Sequence, residues 1–68
     1  MTKTQISQNI RRNHVAAVVE REGERIGHVV CKGRASFAAS RKVGTADDIR
    51  RYAANFRSVE AAAAWVAR

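Results

Sequence analysis

Apolar and polar positions along residues 14–42 follow a period of two, the spacing of a half-buried strand. Three runs show it: His14-Val-Ala-Ala-Val-Val-Glu20, Glu24-Arg-Ile-Gly-His-Val-Val-Cys31 and Arg34-Ala-Ser-Phe-Ala-Ala-Ser-Arg41. Glu22-Gly23 and Lys32-Gly33 separate them, each a two-residue link with glycine second, where a primed turn needs positive φ. The reading is an antiparallel meander. With those loops Val19 faces Ile26, Ala17 faces His28, Val15 faces Val30 and Glu20 faces Arg25. In the second hairpin Val30 faces Ala35, His28 faces Phe37 and Ile26 faces Ala39. The expected core face carries Val15, Ala17, Val19, Ile26, Val30, Ala35, Phe37 and Ala39. The expected outer face carries Ala16, Val18, Gly27, Val29, Cys31, Arg34, Ser36, Ala38 and Ser40.

Beyond residue 44 the period changes. Ile49, Tyr52, Ala53 and Phe56 follow i, i+3, i+4, i+7 spacing, which predicts a helix over 45–56 with Thr45 as N-cap and Asp47 and Asp48 in its first turn. Val59, Ala62, Ala63 and Val66 form a second stripe behind Ser58, with Trp65 beside it, and predict a helix over 58–68. Residues 1–13 read as a polar basic arm ahead of one domain over 14–68. The expected fold is therefore α+β: a three-stranded meander with two C-terminal helices packed on one face.

A chain of 68 residues is one small domain. It buries only about 60% of the surface its unfolded form exposes. Cys31 is the sole cysteine, so no disulfide can form within one chain, and with two separated histidines, His14 and His28, it makes no zinc set. Self-association as a homodimer is one remaining source of stability. No cofactor is expected. No apolar run marks a signal peptide or a membrane span, and a cytoplasmic protein with a reduced thiol is the expectation.

Charge changes the picture most. Thirteen Lys and Arg stand against six Asp and Glu, a net charge of +7. No acid precedes Glu20, and none lies between Arg25 and Ala46. Such asymmetry points to a polyanionic partner: nucleic acid, or a host complex that carries it. The candidate binding residues are Arg25, Lys32, Arg34, Ser36, Arg41 and Lys42 on the sheet and its rim, with Arg11 and Arg12 from the arm. Catalysis is not expected. His28 and Cys31 lie three apart on one strand and point to opposite faces, and each acid has a place in a turn or helix start. Phe37, Tyr52, Phe56 and Trp65 are all assigned to the core. A sheet without an exposed ring argues for phosphate and groove contacts on duplex DNA over base stacking.

The segment Phe56-Arg-Ser-Val-Glu-Ala-Ala-Ala-Ala-Trp-Val66 resembles the end of the arm-type, AP2-like DNA-binding domains of phage and transposon integrases, with Phe56, Ser58, Glu60, Ala61 and Trp65 in the matching places. That resemblance implies three strands and a helix, a sheet face laid in the major groove, and Arg25, Lys32, Arg34 and Ser36 as contacts. The additional helix at 45–56 departs from the family's order. In size and layout the chain is also similar to small phage-encoded inhibitors such as anti-CRISPR proteins. That similarity implies docking on a host nucleic-acid-binding complex. The expected function is a small basic binding protein of a phage or mobile element, taking nucleic acid or such a complex as its partner.

Overall fold

The computed structural model describes residues 1–42 and 50–68. Five strands and one helix follow in order: β1 (Thr2–Ile6), β2 (Val15–Arg21), β3 (Glu24–Gly33), β4 (Ser36–Lys42), β5 (Arg50–Phe56) and α1 (Val59–Val66). The strands form one antiparallel sheet in sequence order, and α1 lies across β2, β3 and β4. The expected three strands and two helices are thus corrected to five strands and one helix.

The first hairpin turns where its sequence directs. Glu22 and Gly23 both take positive φ, 52° and 81°, as a two-residue primed turn requires. Register on either side is shifted by irregularities, between Val15 and Ala17 and between Val19 and Glu20. Val15 pairs with Val30 and Glu20 with Arg25, as expected, but between them Val19 pairs with Gly27 and Ala17 with Val29. Because side chains alternate across a strand, such a slip exchanges faces. Gly27, Val29 and Cys31 lie beneath α1, while Val15 and Val30, assigned by pattern to the core, lie on the other face.

The second hairpin departs further. β3 continues through Lys32 to Gly33, and the chain reverses at Arg34-Ala35, with Ala35 at φ 51°. Cys31 pairs with Phe37, Val29 with Ala39 and His28 with Ser40. Ala35 is exposed at the turn and is no core residue.

Two further corrections concern the ends. Thr2–Ile6, within the expected arm, pairs with β2 as an edge strand exposed along its length. Arg50–Phe56, within the expected helix, is β5 on the opposite edge, pairing Tyr52 with Ser40 and Ala53 with Ala39. Tyr and Phe suit a pleated surface at least as well as a helix, and the open edge of β4 offers hydrogen bonds between strands that a marginal helix cannot match. The remainder of that helix, with Thr45, Asp47, Asp48 and Ile49, lies outside the described residues. α1 matches its expectation: Ser58 Oγ accepts from the Ala61 N–H at 3.1 Å, and Val59, Ala62, Ala63 and Val66 are buried.

The core is small: Ala16, Ala17, Val19, Val29, Cys31 and Ala39 of the sheet against the four buried helix residues. Alanines on both sides let α1 approach closely. Gly27 marks the tightest point, since a Cβ there would meet the Ser40 carbonyl oxygen and stand 2.6 Å from Val66 Cγ1. A Gly27→Val substitution is therefore expected to destabilise by about 1–3 kcal/mol through overpacking, read as a lower urea midpoint, whereas Gly33→Val, which meets nothing within 4 Å, shifts it little.

Candidate functional site

The sheet divides the cations by its two ends. At the end formed by the Glu22-Gly23 turn, the glutamates of the hairpin stand among the bases, although Arg51, exposed and opposite Arg41 on β5, has no ion-pair partner among the described residues. Lys3, Glu20 and Arg25 occupy one cross-strand row, with the acid between two bases. Lys42 Nζ lies 3.8 Å from Glu24 Oε1.

Two arginines at this end serve α1. The helix has no basic residue in its last turn, and its final carbonyls need partners. Arg41 Nη1 donates to the carbonyl oxygens of Trp65 at 3.2 Å and Arg68 at 3.4 Å, and its guanidinium lies 4.8 Å from the Trp65 ring centroid. Arg21 Nη2 donates to the Ala67 carbonyl oxygen. Cations placed here also complement the negative end of the helix dipole. Trp65 also packs against Phe56, with the two rings tilted and their centroids 6.0 Å apart.

The opposite end is different. Residues 7–14 join β1 to β2 and are tied to β3, where the Asn13 N–H donates to the Cys31 carbonyl oxygen at 2.7 Å and the Cys31 N–H to the His14 carbonyl oxygen at 3.0 Å. This brings Arg11 and Arg12 to the end of the sheet where Lys32 lies near the close of β3 and Arg34 stands in the β3–β4 turn. Arg12 and Arg34 rim a depression of about 490 Å³ whose lining includes Cys31, Phe37 and Ile10. The Phe37–Phe56 pairing carries Arg57 to the same end. Arg11, Arg12, Lys32, Arg34 and Arg57 are all exposed, and none has an ion-pair partner among the described residues. Glu60 follows in the first turn of α1, where the helix N-terminus favours an acid.

Of the eight expected site residues, Arg11, Arg12, Lys32, Arg34 and Ser36 are therefore gathered at one end. Arg25 and Lys42 lie at the other end beside glutamates, and Arg41 lies under α1. The sheet face away from α1 carries Lys32, Ser36 and Arg25 with His28, Val30, Ala38 and Tyr52. His28, expected to face Ala17 and Phe37, is half-buried there opposite Ser40, with its Nδ1 3.2 Å from Ser40 Oγ. Tyr52, expected in the core, is 75% exposed. Its assignment to a helix concealed it; the signal available was its place in a run with Asn55 and Phe56, two β-forming rings with a turn former between them.

No protein-family model, curated protein or solved structure matches the chain. The three strands and a helix implied by the resemblance to integrase domains are corrected: the helix capped by Ser58 follows five strands.

Arg41→Gln is expected to lower stability by about 1–2 kcal/mol, through loss of the helix-terminal contacts and of the stacked guanidinium, measured by chemical denaturation. A Lys42→Gln control, which removes the 3.8 Å pair with the exposed Glu24, should change it by less than Arg41→Gln does.

Proposed function

We propose that this protein binds nucleic acid, without catalysing a reaction, using the basic end of its sheet and the face away from α1. The observation that carries the reading is the gathering of Arg11, Arg12, Lys32, Arg34 and Arg57 at one end, exposed and without ion-pair partners among the described residues. Cations that stabilise a fold are engaged by acids or carbonyls, as Arg41 and Lys42 are here. Cations left together and unneutralised raise a positive potential that draws phosphates and releases counterions on contact. The duplex preference expected from the sequence rested on a sheet without exposed rings; Tyr52 removes that ground.

A second reading, docking on a host protein in the manner of an anti-CRISPR inhibitor, is favoured by β1. Every residue of that edge strand is exposed, and an open edge can accept a partner's strand.

The test is binding of fluorescently labelled oligonucleotides across a salt series. The double replacement Arg12→Ala with Arg34→Ala should weaken binding and reduce the slope of log K against log salt by about one per residue. Replacing Arg41 should leave that slope unchanged. Absence of binding at low salt, with capture of a protein partner that survives nuclease treatment, would replace this reading by the second.

A further inference from the structure

Most aromatic side chains of this protein are used in packing. Phe37, Phe56 and Trp65 lie half-buried against the core. Tyr52 does not: it stands on β5, on the face away from α1, and is three-quarters exposed. A tyrosine ring on a sheet ordinarily covers its cross-strand neighbour. Here the neighbour is Ser40, which is small and itself almost fully buried. Beyond Ser40 in the same row lies His28. Two rings thus flank a low floor, two strand spacings or about 10 Å apart along the row. A depression of about 160 Å³ occupies that floor, lined by His28, Val30, Lys32, Ala38, Ser40 and Tyr52.

We infer that this depression is a stacking platform for an unpaired base, with Tyr52 as the ring on which the base lies. The inference rests on the nucleic-acid reading above and narrows it to single strands. The physical case has three parts. An exposed ring over an apolar floor offers a flat, desolvating surface to a flat ligand. Lys32 is at once part of the depression's lining and a member of the unpaired basic group, so a chain whose base lies on Tyr52 brings its phosphates to a cation at the basic end of the sheet. A duplex cannot use the platform, because its bases are already stacked and present only their edges in the grooves. Recognition by ring stacking accepts any base, so sequence preference is expected to be weak.

The face could also take an apolar protein surface, but the company of Tyr52 argues otherwise. The cation that lines the same depression, Lys32, is unneutralised among the described residues, and an apolar partner covering it would have to bury that charge without a counterpart. A phosphodiester chain supplies one for each nucleotide.

The decisive measurement is fluorescence anisotropy at low salt with one short mixed-sequence oligonucleotide, offered as single-stranded DNA, as the same sequence in RNA, and as the DNA duplex. The unaltered protein should bind both single strands more tightly than the duplex. Tyr52→Ala should weaken single-strand binding about tenfold and leave duplex binding unchanged, while Tyr52→Phe retains both. The circular dichroism and melting temperature of both variants should match the parent, because the ring is exposed. Unchanged single-strand affinity in Tyr52→Ala, or tighter binding to the duplex, would overturn the platform while leaving the charge-based reading in place. Binding to none of the three probes would overturn both.

Discussion

The approach of α1 to the sheet at Gly27 is the constraint on which the other contacts depend. A helix of eight residues does not hold together alone in water, so α1 exists only as far as it is pressed against the strands. Its buried stripe is half alanine, which contributes little area per residue. Close approach must compensate, and close approach needs the absence of a side chain beneath Val66. Gly27 supplies that absence in the middle of β3, where a glycine otherwise weakens a strand. Once the helix end is seated there, its last carbonyl groups face the sheet, and Arg41 and Arg21 meet them.

That seating decides which cations are structural. Arg41 is bound to the helix end and to the Trp65 ring, and Arg21 to Ala67. Two of the glutamates around the first turn stand beside part of the remaining charge nearby, Glu20 in the Lys3–Glu20–Arg25 row and Glu24 in its pair with Lys42. Which cations remain unengaged is set by geometry more than by count. An acid-free stretch of sequence from Arg25 to Lys42 crosses the sheet twice, so its cations are delivered to both ends, and the acids of the β2–β3 hairpin meet those at one end only. The loop before β2 and the start of α1 then add Arg11, Arg12 and Arg57 at the other.

The parts of the fold legible in the sequence are those with a local cause. Glu22-Gly23 as a primed turn, Ser58 as a cap and the Val59, Ala62, Ala63, Val66 stripe each arise from side chains within a few residues, and each stands as read. The strand at Arg50–Phe56 was hidden because its apolar spacing fits a helix as well as a strand, and the deciding partner, β4, lies outside the segment itself. β1 was hidden for a related reason: an edge strand with no buried residue has no pattern to show. Of the site, the membership of Arg11, Arg12, Lys32 and Arg34 was legible from charge, but the employment of Arg41 by the helix was not, since nothing local to Arg41 announces Trp65.

The two irregularities in the β2–β3 register carry the largest consequence for function. Each inserts a single residue, one near Ala16 on β2 and one near Ile26 on β3, and each reverses the facing of the residues after it. Without them Val15 and Val30 would lie in the core and Gly27 would face away from the helix that needs it. With them, Gly27, Val29 and Cys31 turn toward α1, and Val15, Val18, His28 and Val30 form the middle of the other face. Solubility alone would favour mixed charges across such a surface. Instead its centre is apolar and small, its charges lie at the margins, and a ring stands over it. The same slip that allows the helix to seat therefore also builds the surface on which binding is proposed, so the packing constraint and the candidate site have a common origin in two added residues.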